Sequence, residues 1–533
     1  MVPCSGKAAA VLAKFGTEVP VRRAGQHSGT AACIAENAEP TVVGAVGGVI
    51  AGRGPAGHRF CSAVCFYGWY QQRRNDVARQ LGSVTGAPRA AIDPQIAAAL
   101  VAVERDDPDG IELAAVALDW LAVCGSPQRL TQLALCGFLW YQLPAVEGSR
   151  SERSRVAVVL GRLFQALGLS RYAALCTSSV TTAILGAVDG NGQPVGREAY
   201  QRALDRCGIV PPDIPELTWG TVMGVEEVNA YEATAAMLEL ALAAGRLRPG
   251  GAGWRTRQAE LTSAYLTAAD PALDGVCRLE RIRAERLGIW ARSRGEQRRR
   301  SLVGLVGRLT SAGVSPSDAD EYLAPVRWLL ERAGTADGLP LTGAHHLDRT
   351  VVVEAQEWFG LDCTGQGPAG TDVEGRCLGA LREMLRSMGA VRRIGRRLVL
   401  TPLGRRLSAK SDDLWAAAVG CLIGDGDSLG EAAREAAMAA LVDGRQIGRE
   451  ELTRRVSSWL AGEGWRDPTT GGTPTGPTVR TALAELWRTL RALGLLTDDH
   501  WLRPLRLSPI GQAAAVAVLR ARAIRPRHTI GFG

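Results

Sequence analysis

Apolar residues recur three and four apart through most of the chain from residue 87 onward, the period of an amphipathic helix. The pattern predicts helices over 94–104, 110–123, 153–167 and 226–244. The stretches 189–194 (Asp-Gly-Asn-Gly-Gln-Pro) and 211–215 carry the Gly and Pro that break it, and a Gly/Arg/Pro linker at 246–253 closes the region. A second helical block, 278–308, holds ten Arg and three Glu. It reads as a solvated helix face on which Glu280, Glu285 and Glu296 offset part of the charge. Residues 1–57 keep neither a 3.6 nor a 2.0 period, so no fold is expected of them.

The last third of the chain repeats itself. Leu378, Leu381, Leu385 and Met388 superpose on Leu483, Leu486, Leu490 and Leu493, each set lining one helix face. Gly389 and Gly494 follow, where a left-handed residue ends a helix. Each copy continues through a short polar insert and a β-like run to Thr401-Pro402 or Ser508-Pro509, a capping residue with proline at the first helical position. Helix, glycine stop, β-hairpin and capped helix form the closing half of a winged helix-turn-helix. In the second copy the earlier helices are legible at 428–441 and 449–460. A third, recognition-type helix covers 478–493, and its Thr478, Arg480, Thr481 and Arg488 are candidates to approach bases.

Charge separates the two copies. Residues 382–406 hold eight Arg and one Glu, and the hairpin tip Arg392, Arg393, Arg396 and Arg397 is a candidate phosphate grip. The second tip, Asp498-Asp499-His500, would be repelled by phosphate. Over the whole chain 62 Lys+Arg oppose 54 Asp+Glu, a net charge of +8 over 533 residues, which hints at polyanions without naming one. Three Lys and four Asn indicate a GC-rich coding bias, so the position of an Arg says more than the number of them. A charged fraction of 22% is ordinary for a folded protein and excludes a largely disordered chain. No stretch approaches the ~18 apolar residues of a membrane helix, and the N-terminus lacks a signal-peptide pattern, so a cytoplasmic protein is expected. The cysteines are too sparse for a disulfide scaffold.

Candidate chemistry is thin. Cys61 and Cys65 are four apart beside Phe60, Phe66, Tyr67, Trp69 and Tyr70, and could share a zinc ion at a helix start. A complete site needs two more ligands, and Cys4, His27, Cys33 and His58 are isolated, so a degenerate finger or an aromatic core is the competing reading. Residues 59–74 resemble the second half of small treble-clef zinc fingers with a Phe-Cys-Ser-x-x-Cys motif. Gly52, Gly54 and Gly57 match a dinucleotide-binding glycine spacing but sit in a Pro-containing loop, and no P-loop occurs. His346 and Arg349 echo a tyrosine-recombinase pair, yet the last tyrosine, Tyr322, lies upstream of them. Asp106, Asp107 and Asp109, with Pro108 and Gly110, read as a turn rather than a metal site.

Three segments resemble a group of largely actinobacterial proteins carried on plasmids and other mobile elements. They are 338–347, then 385–404 with Asp412-Asp-Leu-Trp415, then 490–511 with the tail 520–527. That group reads Leu-Thr-Gly-x-Gly-Tyr-Leu in the first segment, where this chain has His345 and His346. The resemblance implies a tandem winged-helix region and a mobile-element setting, and carries no activity with it.

The expectation is therefore a mainly α, multidomain protein with two C-terminal winged helix-turn-helix modules and small β-hairpin wings. Its expected parts are an irregular segment 1–57, a zinc-finger-like element 58–86, a helical domain 87–250, an Arg-rich helical region 251–335, and winged-helix modules at 336–425 and 426–533. The expected function is non-enzymatic DNA binding, accessory or regulatory to a plasmid or transposon. The competing classes are a protein-interaction scaffold and a metal-dependent nuclease or transposase.

Overall fold

The structure is a computed structural model and describes residues 93–121, 130–145, 149–187, 193–311, 316–359, 376–497 and 503–528. Segments 1–57 and 58–86, with Cys61 and Cys65, lie outside the described residues, as does the second hairpin tip 498–500. The chain is mainly helical, and among the described residues no helix is long and apolar enough to cross a membrane. Its described residues divide into two compact units, one of residues up to Ile282 together with those from Pro526 on, the other Arg283–Arg525.

The first unit comprises α1 (Pro94–Asp106), α2 (Ile111–Trp120), α3 (Gln132–Gly137), α4 (Arg150–Ala166), α5 (Ser170–Cys176), α6 (Ser179–Gly186), α7 (Gln193–Cys207), α8 (Val225–Ala243), α9 (Trp254–Thr267) and the start of α10 (Arg278–Arg292). A π-helical turn over Phe138–Gln142 continues α3. Helix α4 is central and packs against α1, α2, α5 and α6. Ser149 and Glu152 start it with a reciprocal capping box, and Val159, Leu160, Leu163 and Phe164 form its buried face. Asp107, at the end of α1, pairs with Arg155 at 2.9 Å and Arg162 at 2.8 Å from α4, and residues 108–110 form a turn. The aspartate triplet is thus a helix-ending turn with its central carboxylate ion-paired. Glu239 of α8 accepts from the Gln132 backbone N–H at 2.8 Å and the Tyr172 hydroxyl at 2.6 Å, tying α8 to α3 and α5.

The second unit continues through α11 (Glu296–Ser311), α12 (Ala319–Ala333), β1 (Leu339–Pro340), α13 (Arg349–Phe359), α14 (Arg376–Ser387), β2 (Val391–Ile394), β3 (Arg397–Leu400), α15 (Pro402–Ala409) and α16 (Ser411–Gly420). It closes with α17 (Leu429–Leu441), α18 (Arg449–Gly462), α19 (Gly476–Ala492) and α20 (Pro509–Ala523). One continuous apolar core runs through it from Leu287 to Ala523. The three strands form an antiparallel sheet in the order β1-β3-β2.

The sequence repeat is a repeat in space. In the first copy Leu398 of β3 pairs with Leu339, and Leu400 with Val391. In the second, Leu505 bridges to Ile447 and Leu507 to Leu496. Gly389 (φ 65) and Gly494 (φ 63) end α14 and α19 in the left-handed region. The Thr401 hydroxyl accepts from the Gly404 N–H at 3.0 Å, and that of Ser508 from the Gly511 N–H at 3.2 Å. Gly404 and Gly511 are required by close approach: a Cβ at either would lie 2.1 Å from the carbonyl oxygen of Ala390 or Leu495. Helix α12, upstream of residue 336, buries Leu323, Val326 and Leu330 in the same core as the repeat.

The Arg-rich block departs from the solvated face expected of it. Arg298 is fully buried, and its guanidinium meets Glu435 at 2.6 Å and Glu463 at 3.2 Å, both carboxylates buried. Arg294 and Arg522 also reach Glu435, at 2.8 and 3.2 Å, and the Trp290 indole N–H donates to it at 3.0 Å. Burial opposes ionisation of Glu435, but Arg298, Arg294 and Arg522 overcome it and hold its carboxyl below the usual carboxylate range. Burial pushes the Arg294 guanidinium down against the pull of Glu435. With Trp290 at the end of α10, these arginines pin α10, α11 and α20 to α17 and α18, and they are not free for a polyanion.

Candidate nucleic-acid interface

Strands β2 and β3 join through Gly395-Arg396, a two-residue turn whose glycine takes φ 58. Residues opposite each other across an antiparallel pair share a face. Buried Leu398 pairs with Leu339 and Arg393, so Val391, Leu398 and Leu400 lie on the core side, and Arg393 starts from that side near the hairpin tip but remains exposed. Arg392, Ile394, Arg397 and Val399 therefore share the outer side, with the exposed Ile394 opposite Arg397 and two residues along β2 from Arg392. The hairpin is braced: the Leu341 N–H donates to the Arg396 carbonyl at 2.8 Å, and β1 adds a third strand.

Arg392, Arg393, Arg396 and Arg397 are all exposed. Arg397 pairs with the exposed Asp337 at 3.3 Å, a surface contact of small strength. The other three make no ion pair among the described residues. Arg405 and Arg406, exposed on α15, extend the basic surface, although no motif singles them out. The loop before α13 closes on itself: His345 (φ 65) donates its backbone N–H to the Thr342 carbonyl, and the His346 N–H reaches the Thr342 hydroxyl at 3.2 Å. Thr342 thus closes the turn through both its carbonyl and its hydroxyl.

The third helices of the two copies pack against each other. Besides the repeat positions Leu378, Leu381 and Leu385, helix α14 buries Cys377, Ala380 and Met384, a second facet spaced i, i+3, i+7. Sequence reading missed this facet, though the spacing was visible. On the outward side of α14, Arg382 reaches the His345 carbonyl and Glu383, and Arg386 pairs with Glu383 at 3.1 Å.

On α19 the four candidates divide. Arg480, Thr481 and Arg488 are exposed, while the Thr478 hydroxyl donates to Asp467 at 2.6 Å. The Asp467 carboxylate also accepts from the backbone N–H groups of Thr469 and Thr470, so Thr478 holds the preceding loop onto the first turn of α19. Thr481 and Arg488 bond to the Pro477 and Ala484 carbonyls of their own helix at 3.2 Å each.

Among the described residues no group of three or more His, Cys, Asp or Glu could hold a metal ion. Comparison with protein-family models, with characterised proteins and with solved structures finds no match.

Proposed function

We propose that residues 283–525 form a tandem winged-helix unit that binds duplex DNA, in a non-enzymatic accessory or regulatory protein. In support of this reading, the first copy runs helix, short strand, two helices and a hairpin whose second strand pairs with the first strand. The second copy has three helices in the same order, with the single bridges Ile447–Leu505 and Leu496–Leu507 where strands would pair. The observation that carries DNA binding is the braced first hairpin with Arg392, Arg393 and Arg396 exposed and free of carboxylates among the described residues. These arginines and Arg397 grip phosphate, and Arg480, Thr481 and Arg488 on the open face of α19 approach bases. A plasmid or transposon setting follows from the C-terminal resemblance alone.

Titration of the full chain against random GC-rich duplex at several salt concentrations, with and without Mg²⁺, tests this. Salt-sensitive binding without cleavage is expected. No binding at low salt would move the reading to a protein-interaction scaffold. Mg²⁺-dependent nicking would mean a nuclease.

A further inference from the structure

The two halves of the first copy are unequally fitted to a duplex. A winged helix commonly reads DNA with its third helix in the major groove. Here α14 has given up two adjoining facets, Leu378, Leu381 and Leu385 and then Cys377, Ala380 and Met384, to the core of the unit, in which it also packs against α19. Among its described residues, what it leaves toward solvent is narrow: Glu383, Arg386 and Ser387, with Arg382 mostly buried beside them. The guanidinium groups of Arg382 and Arg386 both lie on Glu383, and a carboxylate there repels phosphate. The hairpin is the reverse. Its outer face sets the exposed Ile394 next to both Arg397, its cross-strand partner, and Arg392, two residues back on β2, on strands stiffened by the β1 pairing and the Leu341–Arg396 hydrogen bond. Arginines flanking an apolar side chain suit a minor groove, where the cations follow the negative potential and the apolar group packs between base steps.

We propose that the first copy engages B-form duplex DNA through its wing alone, set into the minor groove with Ile394 as the apolar contact, while α14 serves as a packing helix and does not read bases. This rests on the DNA-binding reading above. Sequence discrimination by the unit then comes from α19, and the first copy contributes affinity that tolerates changes of sequence.

The experiment compares the full chain with two variants on one duplex: Arg392→Ala/Ile394→Ser/Arg397→Ala in the wing, and Glu383→Gln/Arg386→Ala on α14. All of these side chains are at the surface, and thermal unfolding verifies that both variants fold. Each protein is titrated with and without a minor-groove-binding drug, and against an RNA duplex of the same sequence. The wing variant is expected to bind at least tenfold more weakly, its residual binding is insensitive to the drug, and the α14 variant stays within about twofold of wild type. RNA, whose minor groove is wide and shallow, is bound far less well. Loss of affinity in the α14 variant equal to that in the wing variant, undiminished drug sensitivity without the wing, or equal binding of the RNA duplex would overturn the proposal and leave DNA binding standing. Absence of any binding by the wild-type chain would overturn both.

Discussion

Replacing Glu435 by alanine perturbs the second unit where its electrostatics are most concentrated. The carboxylate is almost fully buried, and Arg294, Arg298, Arg522 and the Trp290 indole all direct hydrogen-bond donors at it. Without it, Arg298 keeps Glu463 and Arg522 keeps Asp427, but the Arg294 guanidinium faces two cations with its carboxylate gone. Removing one partner of a buried ion pair costs about 3–5 kcal/mol, because the remaining charge stays desolvated. For a unit of 150–250 residues each kcal/mol moves the melting midpoint by about 2–4 °C, so a drop of about 6–20 °C is expected. Differential scanning calorimetry with near-UV circular dichroism gives the readout, and Arg299→Ala, a neighbouring exposed arginine, should melt near wild type. The loss should be similar in low and moderate salt, since a buried cluster is poorly screened. A shift of one or two degrees, or one abolished by salt, would refute the claim that this network holds α10, α11 and α20 to the repeat.

The same network gives a pH dependence. The folded carboxyl of Glu435 sits below its ordinary 4.5, so its stabilisation is present above that value and disappears as pH falls through the folded pKa. Acid unfolding of wild type should therefore steepen below about pH 4.5, and in Glu435→Gln it should flatten. Gly404→Ala and Gly511→Ala should each destabilise by about 1–3 kcal/mol, because a carbonyl oxygen stands 2.1 Å from the new Cβ and backbone has to shift. Thermal melts of the two single variants check this, and a neutral effect at either would contradict the tight turn. Thr401→Ala should cost about 1 kcal/mol through loss of the α15 cap, and Thr401→Ser should restore most of it.

The repeat was legible because its signals are local. A glycine stop, a capping hydroxyl followed by proline, and leucines at helical spacing are fixed within a dozen residues, and the structure places all of them as the spacing requires. Helices predicted over 226–244 and 449–460 appear as Val225–Ala243 and Arg449–Gly462. What stayed hidden depends on distant partners. Arg298-Arg299-Arg300 reads as a surface charge run, although Arg298 continues the stripe of Leu302, Leu305 and Leu309, all buried. Its carboxylates come from Glu435 and Glu463, more than 130 residues away, and no local pattern points to them. Thr478 opens the third helix, and the bond its hydroxyl gives to Asp467, eleven residues earlier, is not written in the local pattern. The second facet of α14 was written in Cys377, Ala380 and Met384, small or soft residues that a pattern of leucines conceals.

The wing as a phosphate grip is tested most directly by the slope of log binding constant against log salt concentration for wild type and for Arg392→Ala/Arg393→Ala/Arg396→Ala/Arg397→Ala. Four lost phosphate contacts should flatten the slope by about 3 to 4 and weaken binding alike on unrelated sequences. An unchanged slope in a folded quadruple variant would contradict the account.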